Sequence, residues 1–385
     1  MDDSPIVRLL DDLVRAAINR GASDVHLEPL EMNWRVRFRI DGKLVIVREF
    51  AKELLPPVLA RLKIVSQLPL DEHQKPVEGK WLFWADCQEA YDIRISIIPF
   101  LYGEGVVLRI LRLLGTQPNL HGLGFCDDSV CQSICRVIGE RSGLFLVVGP
   151  TGCGKSTTIY TLLQMLNDGS RKIITVEDPV EYTAKGICQV NVAAKQGLSF
   201  ASALRAVLRQ APNVLFIGEI RDQETAAIAM QAALTGHFVF STLHADGVAG
   251  AVSRLENLQV SEHLIGTTLR GVLAQRLIRR LCPTCRRKCN PSPEIIVRFA
   301  LGETASIFQA GACEKCHQSG YDGRMVHYEW APLNGLGGVK IERLQDHINC
   351  CRMVTFADSA RQLLLGGQFS IDDALCSGLL DSFLY

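Results

Sequence analysis

The segment Gly149-Pro150-Thr151-Gly152-Cys153-Gly154-Lys155-Ser156-Thr157 constrains this chain more than any other stretch. It has the form G-x-x-x-x-G-K-[ST], with the apolar run Leu144–Val148 before it and the helix-like stretch Thr158–Leu166 after it. Strand, glycine loop and helix in that order form a phosphate-binding loop. The glycines let backbone N–H groups curl around phosphate oxygens, and the helix presents its positive end to them. Lys155 is expected to reach the β- and γ-phosphates and Ser156 to ligate Mg²⁺. The surrounding domain is therefore expected to be α/β, with its ligand at the carboxyl ends of parallel strands.

The flanking sequence agrees. Short apolar runs at Ile173–Val176, Leu215–Ile217 and Phe238–Phe240 alternate with helical stretches, as buried parallel strands do. Two of them deliver carboxylates at their tips. Glu219 follows the run Val214–Ile217 and Gly218, and is the expected metal-side carboxylate. Glu177 ends the run Ile173–Val176 ahead of Asp178 and Pro179, where it is expected to position or activate the attacking water. Arg205 and Arg209, spaced i,i+4, read by themselves as a solvated helix face. A lone histidine beside Phe238, such as His237, is by itself more often structural than catalytic.

Upstream, Ile6 to Ile18 carries a helical apolar stripe, and Trp34–Ile40 alternates apolar with basic residues before Asp41-Gly42 and a partner run to Val47, a β-hairpin pattern. Two more alternating runs, Tyr91–Ile97 and Val106–Leu111, contain Arg94 and Arg109. Residues 1–113 thus read as a small α+β domain and 114–125, rich in Gly and Pro, as a linker and hinge. Residues 126–275 read as the nucleotide domain, 276–330 as a cysteine module and 331–385 as a helical tail. Cys282-Pro283-Thr284-Cys285 and Cys313-Glu314-Lys315-Cys316 are two C-x-x-C turns, suited to hold one structural Zn²⁺ in a closed tetrahedral site. Cys289 and His317 are alternative ligands. The 41 basic and 41 acidic residues balance, which gives no support to nucleic-acid binding. An acidic start and the lack of a long apolar run predict a cytoplasmic protein.

Five ordered blocks, G-P-T-G-C-G-K-S-T, T-V-E-D-P-V-E-Y (175–182), L-R-A-V-L-R-Q (204–210), G-E-I-R-D (218–222) and T-G-H-F-V-F-S-T-L-H (235–244), resemble the type II/IV secretion ATPase family over residues 4 to about 325. The resemblance implies a RecA-like ATPase domain preceded by a PAS-like domain, assembled as a homo-hexamer. It also implies catalytic positions at Lys155, Glu177, Glu219, His237 and His244, and arginines at Arg94 and Arg109 that reach the γ-phosphate. Arg205, Arg209 and Arg221 match family arginines near the phosphate or the subunit contact. The implied work is ATP hydrolysis with Mg²⁺, coupled to pilin or pseudopilin assembly with inner-membrane platform proteins, on the inner face of the bacterial inner membrane. Because the cysteine module is typical of assembly and secretion members, retraction is disfavoured. The chain starts almost at the PAS-like domain and reads as a short form without the family's extra N-terminal domain. The competing readings are a conjugation or DNA-translocating ATPase, and a drifted ring scaffold that no longer hydrolyses ATP. Cys153 stands where the family usually has Ser, and the pattern fades after Arg324.

Overall fold

The computed structural model describes residues 4–85, 90–112, 119–192, 197–302, 305–333 and 353–376. Residues 114–118 of the predicted hinge, and residues 334–352 and 377–385 of the predicted tail, lie outside these. The chain divides into two compact units, Met1–Leu114 and Gly115–Tyr385.

In the first unit, six antiparallel strands lie in the order β3-β2-β1-β6-β5-β4. They are β1 (Ala22–Pro29), β2 (Asn33–Ile40), β3 (Lys43–Ala51), β4 (Val77–Trp84), β5 (Ala90–Phe100) and β6 (Gly103–Arg112). The β2–β3 turn is the predicted Asp41-Gly42 pair, both at positive φ (49° and 83°), which matches the twist of a two-residue hairpin. Val25, Leu27, Val36, Phe38, Ile93, Ile95 and Leu108 pack with helices Pro5–Asn19 and Leu55–Val65 into one core. Strand alternation sends the intervening Asp24, Arg39, Arg94 and Arg109 to the opposite face.

The second unit is α/β. Its seven-stranded sheet has the order β15-β12-β7-β11-β10-β8-β9, built from β7 (Gly143–Val148), β8 (Ile173–Glu177), β9 (Cys188–Asn191), β10 (Val214–Ile217), β11 (Phe238–Leu243), β12 (Leu269–Leu281) and β15 (Tyr321–Pro332). The short ribbon β13 (Arg287–Cys289) and β14 (Ile307–Gln309) stands apart. β7 to β12 run parallel, and only β15 is antiparallel to its neighbour. Every residue of β7 and β11 is buried, as covering both faces of a sheet requires.

β12 runs through residue 275 and β15 through 330, so the sheet joins segments that the sequence reading separates. Met325–Trp330, where the family pattern fades, forms the centre of β15. The described tail is helical at Phe356–Leu365 and Ile371–Cys376. Its Leu363, Leu364 and Phe369 share a core with Ile295, Phe299 and Ile307 of the cysteine module. Tail and module are thus packed as one body.

Candidate active site

The four parallel strands β7, β11, β10 and β8 end at one edge of the sheet, and the predicted blocks follow from them. The loop after β7 turns on Gly149, Gly152 and Gly154, all at positive φ (147°, 78° and 89°). Gly149 is required for space as well. A Cβ there would stand 2.4 Å from the Gln275 carbonyl oxygen and 2.8 Å from the Cys153 sulfur. The loop opens the helix Lys155–Leu166, so Ser156 lies in its first turn, where free N–H groups favour an anion. The Lys155 ammonium donates to the carbonyls of Gly149 and Pro150 at 2.7 and 2.9 Å, within the loop it is expected to serve. Thr151 and Gly152 are exposed, and the Thr157 hydroxyl is 3.2 Å from the Tyr182 hydroxyl. Cys153 is buried, and burial raises its thiol pKa; it acts as a small packing residue. A glycine cradle that a single methyl would fill, with a lysine and a hydroxyl at a helix start, fits a nucleotide phosphate and Mg²⁺.

Glu219 follows β10 and is one-fifth exposed. Its carboxylate is 2.8 Å from Arg221 Nε and 3.3 Å from His244 Nε2. This ion pair raises the Arg221 pKa further. β11 lies between β7 and β10, which places His244 between the phosphate loop and Glu219. His237 precedes β11, and its carbonyl accepts from Gly143 N–H at the start of β7. It therefore stands at the opposite edge of the sheet, about 20 Å along the strand from His244. Its Nδ1 is 3.1 Å from the Ala232 carbonyl. The fold sets Lys155, Ser156, Glu219 and His244 after strand ends on one edge of the sheet and pairs Glu219 with His244, while His237 stands at the other edge. Arg205 pairs with Glu224, 2.5 Å away on the next helix, and Arg209 donates to the Arg205 carbonyl.

Glu177 ends β8 and is only 4% exposed. Its Oε1 accepts from Tyr160 and Thr175 hydroxyls, both at 2.6 Å, and Gln189 in turn donates to the Tyr160 oxygen. Burial pushes its pKa up, against the opposing pull of those hydroxyls. Sequence reasoning missed Tyr160, Thr175 and Gln189. It also missed Gln275 on β12, fully buried, which donates to the Cys153 carbonyl at 2.8 Å and accepts from Thr158 at 2.9 Å. The available signal was an amide directly following the apolar run Val272–Ala274.

The sulfurs of Cys282, Cys285, Cys313 and Cys316 lie within 4.8 Å of one another. Three of the separations are 3.9, 3.7 and 3.6 Å. Four sulfurs at ~2.3 Å from one Zn²⁺ sit about 3.8 Å apart, so the set fits a closed tetrahedral site. Gly320 N–H donates to the Cys316 sulfur at 3.2 Å. Cys289 instead faces the Ile307 carbonyl.

A phosphate loop with carboxylates on the tips of neighbouring parallel strands defines a P-loop nucleoside triphosphatase. The chain belongs to the type II/IV secretion system protein family, whose model matches residues 1–373. It is 41% identical over 353 residues to the type II secretion system protein E of Dickeya dadantii, covering 92% of this chain and 70% of that one. It is 43% identical over 328 residues to the putative type II secretion system protein E of Escherichia coli K12, covering 85% and 66%. It is 41% identical over 337 residues to the type IV pilus assembly ATPase PilB of Myxococcus xanthus, covering 86% and 59%. The chain thus spans about two thirds of the length of these relatives. Its fold is similar to that of the Legionella pneumophila ATPase DotB (TM-score 0.71, 20% identity, 98% of each chain). The pilus retraction motor PilT with bound ADP is also similar in fold (TM-score 0.64, 24% identity, 95% and 96%).

Proposed function

We propose that this chain is a cytoplasmic motor ATPase that couples ATP hydrolysis to pilin or pseudopilin assembly in type II secretion or type IV pilus biogenesis. The observation that carries it is the strand-end cluster of phosphate loop, Glu219 and His244 in a chain 41% identical to a type II secretion protein E and to a pilus assembly ATPase. In this reading Lys155 and the loop glycines hold the phosphates, Ser156 and Glu219 hold Mg²⁺, and Glu177 orients the attacking water. Bound Mg²⁺ supplies neutralisation of charge on the phosphate oxygens. Arg94 and Arg109 of the first unit, which we read as PAS-like, answer the charge of the transition state. His237, at the far edge of the sheet, would serve another part of the cycle.

The working form is a homo-hexamer at the inner face of the inner membrane, with platform proteins as partners. No helix among the described residues is long and apolar enough to cross a membrane. The four-sulfur cluster supports an assembly or secretion motor over a retraction motor, with Zn²⁺ as a structural ion.

The test is Mg²⁺-dependent ATP hydrolysis by the purified chain and by Lys155→Ala. The expected result is turnover that the substitution abolishes. Hydrolysis that persists in Lys155→Ala would sink the assignment. Loss of secretion or piliation on deleting the gene, restored by wild type and not by Lys155→Ala, would identify the machine.

A further inference from the structure

On the face of the first unit's sheet opposite its core, strand register aligns Lys80, Arg94, Arg109, Asp24 and Arg39. Like charges directly opposite one another destabilise a sheet. Opposite charges side by side stabilise it, and Asp24 stands in register between Arg39 and Arg109.

Asp24 is the organiser of that row. Its side chain is 8% exposed, and its Oδ1 accepts from Arg109 Nε at 3.0 Å. Its Oδ2 is 3.3 Å from Arg39 Nε and accepts from the Ser23 hydroxyl at 2.8 Å. Both guanidiniums are therefore gripped at Nε by one buried carboxylate. The Arg109 side chain remains 63% exposed and that of Arg39 37%. A guanidinium held at Nε still has its terminal N–H groups to offer a phosphate in a two-pronged contact. Holding the stem beforehand also means that less rotamer entropy is lost on meeting the anion.

We propose that Asp24 is a positioning residue for ATP turnover, fixing Arg109 and a second phosphate-reading arginine, Arg39. The proposal rests on the reading that Arg109 meets transition-state charge, and adds to it what aims that residue and what acts beside it. Asp24 does not touch the nucleotide in this scheme; it acts through the two arginines.

The experiment is a double-mutant cycle on the full chain, reading kcat and nucleotide affinity separately. Asp24→Asn should lower kcat about ten-fold or more, part of the 10³–10⁵ that such an arginine supplies, and change nucleotide affinity less than about three-fold. In an Arg109→Ala background the same change should cost much less, because the residues act as one unit. Equal loss in both backgrounds, or wild-type kcat in Asp24→Asn, overturns the positioning role. Arg39→Lys keeps the positive charge beside Asp24 and so keeps the fold if Asp24→Asn does not. A several-fold fall in kcat is expected there, because an ammonium lacks the fork, and unchanged kcat removes Arg39 from the pair. Wild-type kcat in Arg109→Ala alone would instead overturn the underlying assignment of Arg109.

Discussion

Glu177 carries its carboxylate in a buried pocket of hydroxyls, and that sets how acid should affect the enzyme. Burial raises its pKa, so the folded state holds the proton more tightly than the unfolded chain does. Its contribution to stability is present below the unfolded value and is lost as pH rises through the raised folded value. In the proposed role of orienting the attacking water Glu177 must be ionised, so turnover should fall as pH drops through that raised value. Tyr160→Phe removes a donor that favours the ionised form. The acid limb of the pH–rate profile should then move to higher pH, with nucleotide affinity preserved. An unmoved limb would separate Glu177 from the titration. Glu219 lies in a different setting, one-fifth exposed between Arg221 and His244. Glu219→Gln should cost about 10²-fold or more in kcat, the scale of losing a positioned charged group. Turnover within a few-fold of wild type under the same Mg²⁺ would remove it as the metal-side carboxylate.

At the scale of elements, the cysteine turns tie three pieces together: the end of β12, the ribbon β13–β14 and, through shared apolar side chains, the tail helices. Metal-binding free energy in such a module is folding free energy. Freshly purified protein should contain about one Zn²⁺ per chain. Cys313→Ser should raise hydrogen exchange over 282–320 and in Phe356–Leu365, while Lys155–Leu166 stays protected. Metal analysis without zinc, or unchanged exchange in the tail, would contradict this. The elements differ in how far the sequence discloses them. The glycine loop, the C-x-x-C turns and the Asp41-Gly42 hairpin were legible because each is built from residues a few positions apart. Glu219 was legible because a buried strand must end where its apolar run ends. Gln275 under the loop, Tyr160 and Gln189 around Glu177, and the seat of Leu363 against the cysteine module depend on which distant segments become neighbours. Strand order decides that, and β12 beside β7 brings together residues more than a hundred positions apart. His237 shows the same limit. It lies seven residues from His244 in sequence, yet an extended strand puts the two at opposite edges of the sheet.

For the whole molecule, the proposed use of Arg94 and Arg109 predicts a split between turnover and binding. Arg94→Ala and Arg109→Ala should lower kcat by about 10³-fold or more if each acts as a finger, with a smaller loss of ATP affinity. Near-wild-type turnover in both would remove the first unit from the chemistry and leave the ATPase standing. A different link between chemistry and shape lies within the second unit. β12 pairs with β7 only as far as Ala274, then continues to Leu281 beside β15 alone. The two strands form an arm that leaves the sheet beside the phosphate loop and ends at Cys282. Gln275 is its root, touching the loop through its own carbonyl under Gly149 and through its amide on Cys153 and Thr158. From root to cysteine is about 23 Å of extended chain, so a tilt of the arm at the phosphate loop would be carried along both strands to Cys282. A small tilt at the root would then be a larger sweep at the cysteine end. Gln275→Leu should cut that linkage at nearly constant volume. Nucleotide-dependent changes in hydrogen exchange at 313–320 should disappear while zinc content and the resting protection of β12 stay. If those changes persist undiminished, the arm is a support and not a lever.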